Sequence, residues 1–113
     1  MNSEEAVHVL VIFGSPSELT EQLASAAAVG AVQGRASIRI RRLSTPEESS
    51  LLPNDSLIRM QREYVSPTVA DAVWADGIII AMQNKIAGLP MQLDVATNYG
   101  RSVAATIRAL KTV

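Results

Sequence analysis

The feature that most restricts the fold of this chain is a continuous apolar run, VHVLVIF, at residues 7–13. Apart from His8, its side chains do not alternate between apolar and polar, which is typical of a parallel strand covered on both faces. A second such run, IIIAM at residues 78–82, follows a turn at Asp76 and Gly77. Two strands of this kind predict a parallel sheet with helices packed against it.

The third predicted strand, ASIRIRRL at residues 36–43, does alternate. Ile38 and Ile40 point to one side and Arg39 and Arg41 to the other, as in a strand that has one face or one edge in water. Arginines on an edge strand also discourage pairing with another chain. We therefore predict this strand at a solvated edge of the sheet.

Two longer segments have helical patterns. Residues 17–33 are rich in alanine, with apolar side chains at helical spacing, and Gly34 supplies a stop. Residues 88–113 are predicted to form the last helix, with a break near Tyr99 and Gly100 because glycine weakens a helix interior.

Between these segments the helical signals are weaker. Residues 44–56 have turn chemistry and are predicted to form a surface loop, and residues 57–65, LIRMQREYV, are at best weakly helical. Ser66 and Pro67 predict the cap and the first residue of a short helix. Its predicted inner face consists of Val69, Val73 and Trp74.

The resulting order, β-α-β-(α)-β-α, predicts a parallel sheet with right-handed crossovers. The buried first and third strands and the half-exposed second strand suggest the order 2-1-3, the beginning of a flavodoxin-like three-layer α/β sandwich. Residues 1–113 would form one domain with about three strands, the amino-terminal half of the usual fold. Since the third strand would be a bare apolar edge, we expect a homodimer or higher oligomer that pairs this strand across a two-fold axis.

Composition excludes several classes of function. The chain has no cysteine, which excludes thiol catalysis, disulfides and Cys-based zinc sites, and its one histidine, His8, has no partners for a metal site. The formal net charge of −1 gives no attraction for nucleic acid or anionic lipid. No apolar run approaches the roughly 18 residues of a spanning helix. The acidic start, MNSEEAV, does not resemble a signal peptide, so we expect a cytoplasmic protein.

The junction between the first strand and the first helix, GSPSELTEQL at residues 14–23, lies where α/β proteins often hold a phosphate. A local alternative also accounts for these residues. Ser15 could be the helix cap, Pro16 the first helical residue and Glu18 the third, which makes a capping box. The carboxylate of Glu18 would then supply the negative charge that the helix end otherwise takes from a phosphate.

Two segments resemble the flavodoxin-like NAD(P)H:quinone oxidoreductases of the WrbA type and the related NADPH-dependent FMN reductases. Residues 8–31, HVLVIFGSPSELTEQLASAAAVGA, are similar to the first strand, phosphate loop and first helix of that family. Residues 70–94, ADAVWADGIIIAMQNKIAGLPMQLD, are similar to its third strand and flavin loop. The resemblance implies FMN as cofactor and hydride transfer from a nicotinamide through FMN to a quinone.

The resemblance also implies a set of cofactor-binding residues, and it identifies no catalytic residue. The implied ligands of the phosphate and of the flavin edge are Ser15, Ser17, Thr20, Gln83, Asn84 and Lys85. Glu18 stands where the family has glycine, and Met82 and Gln83 replace the Thr-Pro corner of the flavin loop. Two hypotheses follow. The chain is an FMN-dependent oxidoreductase with a weakened or lost flavin site, or a non-catalytic oligomerising or partner-binding module that keeps only the fold.

Overall fold

The structure, a computed structural model, describes residues 6–14, 17–44, 48, 54–82, 85–86, 89–90 and 93–111. The helices and strands, in chain order, are β1 His8–Gly14, α1 Glu18–Gln33, β2 Ser37–Arg42, α2 Asp55–Glu63, α3 Val69–Trp74, β3 Gly77–Met82, β4 Lys85–Ile86, β5 Leu89–Pro90 and α4 Leu93–Lys111.

The sheet has the order β2-β1-β3-β4-β5, and its first three strands are parallel. Val9 of β1 lies opposite Ile38 on one side and Gly77 on the other, so β1 is the central strand of the three. The predicted α/β class and the 2-1-3 order are therefore confirmed, and the architecture is consistent with a truncated flavodoxin-like sandwich. For β1 the unbroken apolar run was a correct indicator, because a central strand is covered on both faces. For β3 the same indicator was wrong on one face, since Ile78 and Ile80 are 47% and 50% exposed while Ile79 is buried.

The hairpin formed by β4 and β5 was not predicted. It folds back on the carboxyl end of β3, where Ala81 lies opposite Ile86 and Met82 opposite Lys85 in an antiparallel ladder. Within the described part of the chain, the unpaired edge expected on the third strand is thus confined to residues 77–80. The last helix also begins later than predicted, at Leu93, since Leu89–Pro90 of the predicted helix form β5.

The hydrophobic core lies between the sheet and α1. Val9, Val11 and Phe13 of β1 and Ile79 of β3 point to the same side and are almost fully buried. They meet the side of α1 that carries Leu23 and a row of alanines. Because small side chains cover this helix face, α1 lies close to the strands, and its amino end is held at the carboxyl end of β1.

Helices α1 and α4 touch each other through their backbones. A Cβ atom added to Gly30 would lie 1.8 Å from the carbonyl oxygen of Thr97, and one added to Gly100 would lie 1.8 Å from that of Ala27. The predicted break near Gly100 is therefore wrong, and α4 is continuous. The glycine is there because no larger residue leaves room for the neighbouring helix, and this packing outweighs its poor helix propensity.

The short helix α3 begins at a different cap from the one predicted. Thr68 is the N-cap, and its hydroxyl accepts a hydrogen bond from the backbone amide of Asp71, whose carboxylate accepts one from the amide of Thr68. Ser66 and Pro67 precede the helix. Ser66 and Pro67 correctly indicated that a helix starts nearby, but the reciprocal capping box of Thr68 and Asp71 decides its position.

The predicted inner face of α3 was wrong for two of its three residues. Val69 and Val73 are exposed, whereas Asp71 is buried and accepts hydrogen bonds from Arg39 and Arg41 at 3.0 Å each. The sheet surface that packs against α3 carries these two guanidinium groups. Because buried charges need partners, the inner face of α3 carries a carboxylate there rather than a valine. The arginines predicted to be simply solvated are therefore partners of α3.

The third residue, Trp74, does pack inward as predicted. Its ring stacks on the ring of His8, with the centroids 4.7 Å apart, and the guanidinium carbon of Arg39 lies 4.2 Å from the centroid of the indole ring. His8 thus has a structural contact at the start of β1, as its solitary position in the sequence indicated.

Residues 57–65, which looked weakly helical, contain most of α2. The helix is capped by Asn54, whose side-chain oxygen accepts a hydrogen bond from the amide of Leu57 at 2.9 Å. Leu57 and Met60 are buried, so tertiary packing stabilises a helix that its own composition favours only weakly. The position of α2 matters because it brings Arg59 to the amino end of α1.

Candidate functional site

The candidate site lies at the carboxyl end of β1, where the chain passes from Gly14 towards Glu18, the first residue of α1. The amide groups of a helix start point into such a position, and its dipole favours a negative charge. In open parallel sheets, ligands bind at the carboxyl ends of the strands. This is the place where the sequence predicted either a phosphate or a capping carboxylate.

The helix cap is Ser17 and not Ser15. Ser17 has extended backbone angles, and its hydroxyl oxygen accepts a hydrogen bond from the amide of Leu19 at 3.2 Å. Glu18 is consequently the first helical residue rather than the third, so the predicted capping box is wrong. Its carboxylate is exposed and lies 4.0 Å from the guanidinium group of Arg59.

Of the predicted phosphate ligands, the structure describes Ser17 and Thr20. Thr20 has 0% exposure, so its side chain is inaccessible to a ligand at the surface. Ser17 is used as the helix cap. Ser15 lies outside the described residues. The two described side chains are therefore engaged in the fold rather than presented together as a phosphate cradle.

The carboxylate that occupies this region belongs to Glu21, one turn into α1. Arg59 donates from its two terminal nitrogens to the two oxygens of Glu21 at 2.5 and 2.8 Å, and the hydroxyl of Tyr64 donates to Glu21 at 2.8 Å. The same guanidinium group donates to Glu63 at 2.9 Å. Glu21 is almost fully buried, and such charge-assisted bidentate pairs are among the stronger hydrogen bonds in proteins.

The pKa values of this cluster are shifted as its geometry requires. The hydrogen bond from Arg59 is the main cause that lowers the pKa of Glu21, and it outweighs the opposing effect of burial. Burial and the hydrogen bond to Glu21 raise the pKa of Tyr64, so the phenol stays protonated. Its hydrogen bonds to Glu21 and Glu63 raise the pKa of Arg59. The cluster is thus an ion pair held in its charged form.

A second ion pair lies close by at the end of β2. Arg42 is buried there, and its terminal nitrogen lies 2.8 Å from a carboxylate oxygen of Glu48. The charge of Arg42 also helps to lower the pKa of Glu21. Among the described residues, this region therefore combines two guanidinium groups with four carboxylates, those of Glu18, Glu21, Glu48 and Glu63.

The predicted flavin loop follows β3. Lys85 lies in β4, with its backbone opposite Met82 and Pro90. Gln83 and Asn84 lie outside the described residues. The segment after β3 thus begins a hairpin rather than an extended loop, and for this part of the predicted site the structure describes only the backbone position of Lys85.

The residues that sequence reasoning missed are Glu21, Arg59 and Tyr64. Arg59 and Glu63 stand four residues apart, which is the spacing of an ion pair on one helix face, and this was the one local signal. Glu21 and Arg59 are separated by 38 residues, and no pattern within a helix or a loop connects them. Only the docking of α2 at the start of α1 brings them together.

Comparisons with models of protein families, with curated proteins and with solved structures found no match for this chain. The assignment to the WrbA-type family therefore stays a prediction. In the part of the chain that the structure describes, no helix is long and apolar enough to cross a membrane. The same residues contain no group of three histidine or acidic side chains placed to hold a metal ion.

Proposed function

We propose that this chain is a protein-binding module with a flavodoxin-like fold and that it does not use FMN. The observation that supports the loss of the cofactor is the buried ion pair between Glu21 and Arg59 at the start of α1. A phosphate group of FMN would need the positive charge and the hydrogen-bond donors of this region, and Glu21 already takes those of Arg59.

The energetic argument is a competition between two anions for one cation. For a phosphate to bind Arg59, the buried carboxylate of Glu21 would have to lose its bidentate partner. A buried acceptor left without its partner costs about 1–3 kcal/mol, and more when it is charged. The surrounding carboxylates would also repel a phosphate dianion. The internal carboxylate therefore has the advantage.

An FMN titration tests this part of the proposal. We expect the purified protein to lack flavin absorbance and to leave the fluorescence of added FMN unchanged up to millimolar concentration. Saturable binding of FMN at micromolar concentration would overturn the proposal and restore the family's expected activity, hydride transfer through FMN to a quinone. Free riboflavin, which lacks the phosphate, is the matched ligand control.

The surface that supports a binding function is β3. Ile79 is buried under the helices with 1% exposure, whereas Ile78 and Ile80 on the opposite face are 47% and 50% exposed. Residues 77–80 also have no strand partner on their outer side among the described residues. Exposed apolar side chains beside unpaired backbone groups are typical of a surface that binds another chain.

The sequence-based prediction was that this partner is a second copy of the chain, paired through the same strand. The open part of β3 carries no charged residue, so two copies paired antiparallel would bring no like charges together. The other edge strand, β2, is disfavoured because it carries Arg39 and Arg41. Size-exclusion chromatography with light scattering tests self-association: a dimer at micromolar concentration supports it, and a monomer contradicts it.

A further inference from the structure

We infer that the open side of β3 is a slot for a single extended strand of another protein, inserted beside residues 77–80 and beneath α4. The inference rests on the proposed binding function and names the partner's chemistry. The slot is a groove of about 290 Å³ between the edge of β3 and the underside of α4. The residues that line it are Gly77, Ile78, Tyr99, Ser102, Val103, Thr106 and Ile107.

Helix α4 forms a roof over this slot. It packs against α1, and it approaches β3 at the amino end of that strand, where a Cβ added to Gly77 would lie 2.6 Å from the Cδ1 atom of Ile107. Val103 and Thr106, which precede Ile107 in α4, also line the groove. A strand placed beside β3 would therefore lie under α4 much as β1 lies under α1.

The backbone decides that the occupant is a strand. Each residue of a β-strand carries a donor and an acceptor that require partners, and residues 77–80 have such partners in β1 only, within the described chain. Addition of a strand to an exposed sheet edge satisfies these groups directly. Since β4 already lies beside Ala81 and Met82, the slot has room for about four residues, a short strand by the standards of globular proteins.

The position of α4 argues against β3 of a second copy as that strand. Helix α1 lies over β1, and the backbones of α1 and α4 touch each other. Such close contact corresponds to an interaxial distance of about 8 Å, the short end of the range for packed helices. Strands are spaced about 4.8 Å apart, so the two-fold axis of a β3 pair would lie about 7 Å from β1. Helix α4 would then lie almost on that axis and collide with its own copy.

The lining of the slot sets the chemistry of the strand. No charged residue lines the groove, so a charged side chain on the inserted strand would be desolvated without a partner. Beside the amino end of β3, Asp76 and Lys111 pair with each other at 2.9 Å. Val103 and Ile107 can pack against aliphatic side chains of the inserted strand, and the hydroxyls of Ser102 and Thr106 can form hydrogen bonds with threonine side chains. We therefore expect an uncharged segment of alternating valine and threonine type.

The test uses the whole chain and a fluorescein-labelled peptide of alternating threonine and valine with a lysine at each end. We expect saturable fluorescence anisotropy at micromolar concentration, and protection of outward-facing amides in residues 77–80 from hydrogen exchange. Thr106→Trp, which fills the slot, should weaken binding by roughly tenfold or more. Ala105→Trp is the matched control, since Ala105 is also exposed on α4 but does not line the groove, and this variant should bind the peptide as the parent does.

Three results would overturn the inference. The peptide fails to bind the parent protein, the two tryptophan variants bind it equally, or a parent dimer dissociates only in Thr106→Trp, which would make a second copy the occupant. A peptide in which aspartate replaces valine should not bind. The FMN titration separates this inference from the proposed function. A protein that binds neither FMN nor the peptide contradicts the inference alone, whereas micromolar FMN binding contradicts the proposed function.

Discussion

At the carboxyl end of β1 the buried carboxylate of Glu21 accepts hydrogen bonds from Arg59 and Tyr64, whereas on the outer side of β3 residues 77–80 have no strand partner in the described chain. Both regions are sheet positions at which other molecules bind in α/β proteins. In the first, side chains from α1 and α2 satisfy one another. In the second, backbone groups and isoleucine side chains remain available. The proposed function therefore places partner binding at the side of the sheet and not at its end.

The largest expected effect concerns the roof of the open region. Gly100→Ala would place a Cβ 1.8 Å from the carbonyl oxygen of Ala27, so α4 would have to separate from α1. We expect a loss of about 4 kcal/mol in the free energy of unfolding, although alanine favours a helix by about 1 kcal/mol over glycine. Urea denaturation followed by circular dichroism measures it. Ser102→Ala on the same helix is the control, and a stabilised Gly100→Ala protein would show that the helices do not touch.

The next effect tests whether β3 is covered on one face only. Ile79→Ala removes a buried side chain and should cost about 2–5 kcal/mol of unfolding free energy. Ile80→Ala, at the adjacent and half-exposed position, should cost less than about 1.5 kcal/mol, because less apolar surface returns to water. Both variants replace isoleucine with alanine in the same strand, so they differ only in the burial of the position. Equal losses in urea denaturation would mean that the outer face is covered as well.

A smaller effect tests the closed region. Glu21→Gln removes the charge that binds Arg59 and should lower the free energy of unfolding by about 1–3 kcal/mol, since a buried charge-assisted hydrogen bond is lost. Glu18→Gln changes an exposed carboxylate 4.0 Å from the same guanidinium group and should change it by less than about 1 kcal/mol. If Glu18→Gln were the more harmful, the sequence-based assignment of Glu18 as the key carboxylate would be restored.

The smallest effect is a pH dependence. Burial alone would raise the pKa of Asp71, but hydrogen bonds from Thr68, Arg41 and Arg39 outweigh it and lower the pKa from 3.8 to about 2. The pKa values of Glu21 and Asp76 are lowered as well, mainly by Arg59 and Lys111 respectively. Groups with lowered pKa bind fewer protons in the folded state, so their stabilisation is complete above pH 4 to 5 and is lost as the pH falls.

Thermal unfolding between pH 6 and pH 2 measures this loss. We expect the midpoint to fall most steeply below pH 4, and Asp71→Asn to flatten the part of the curve between pH 3.8 and about 2. An unchanged slope in Asp71→Asn would mean that Asp71 titrates normally. Asp55→Asn, which makes the same change at an exposed carboxylate on α2, is the matched control.

The sheet could be predicted from the apolar pattern of its strands, but the polar contacts could not be predicted from the sequence. The continuous apolar runs of β1 and β3 predicted the strand order correctly, and for β1 they also predicted burial, because burial on both faces selects the same kind of side chain along the whole strand. For β3 the predicted burial was wrong on one face, where Ile78 and Ile80 are about half exposed. On α3 the valines looked like the inner face, yet Asp71 lies there because Arg39 and Arg41 of β2 lie beneath it. Such a choice depends on a neighbour about thirty residues away, which periodicity within one helix does not report.

The sequence by itself determined the parallel strands, their 2-1-3 order and the helix that starts just after the first strand. Those features follow from local propensity and from the period of the apolar residues. The tertiary structure alone decided which carboxylate lies at that helix start, why Gly100 stands inside a continuous helix, and how much of β3 is left open. Each depends on the distance between segments far apart in the chain, where packing and charge pairing act through space.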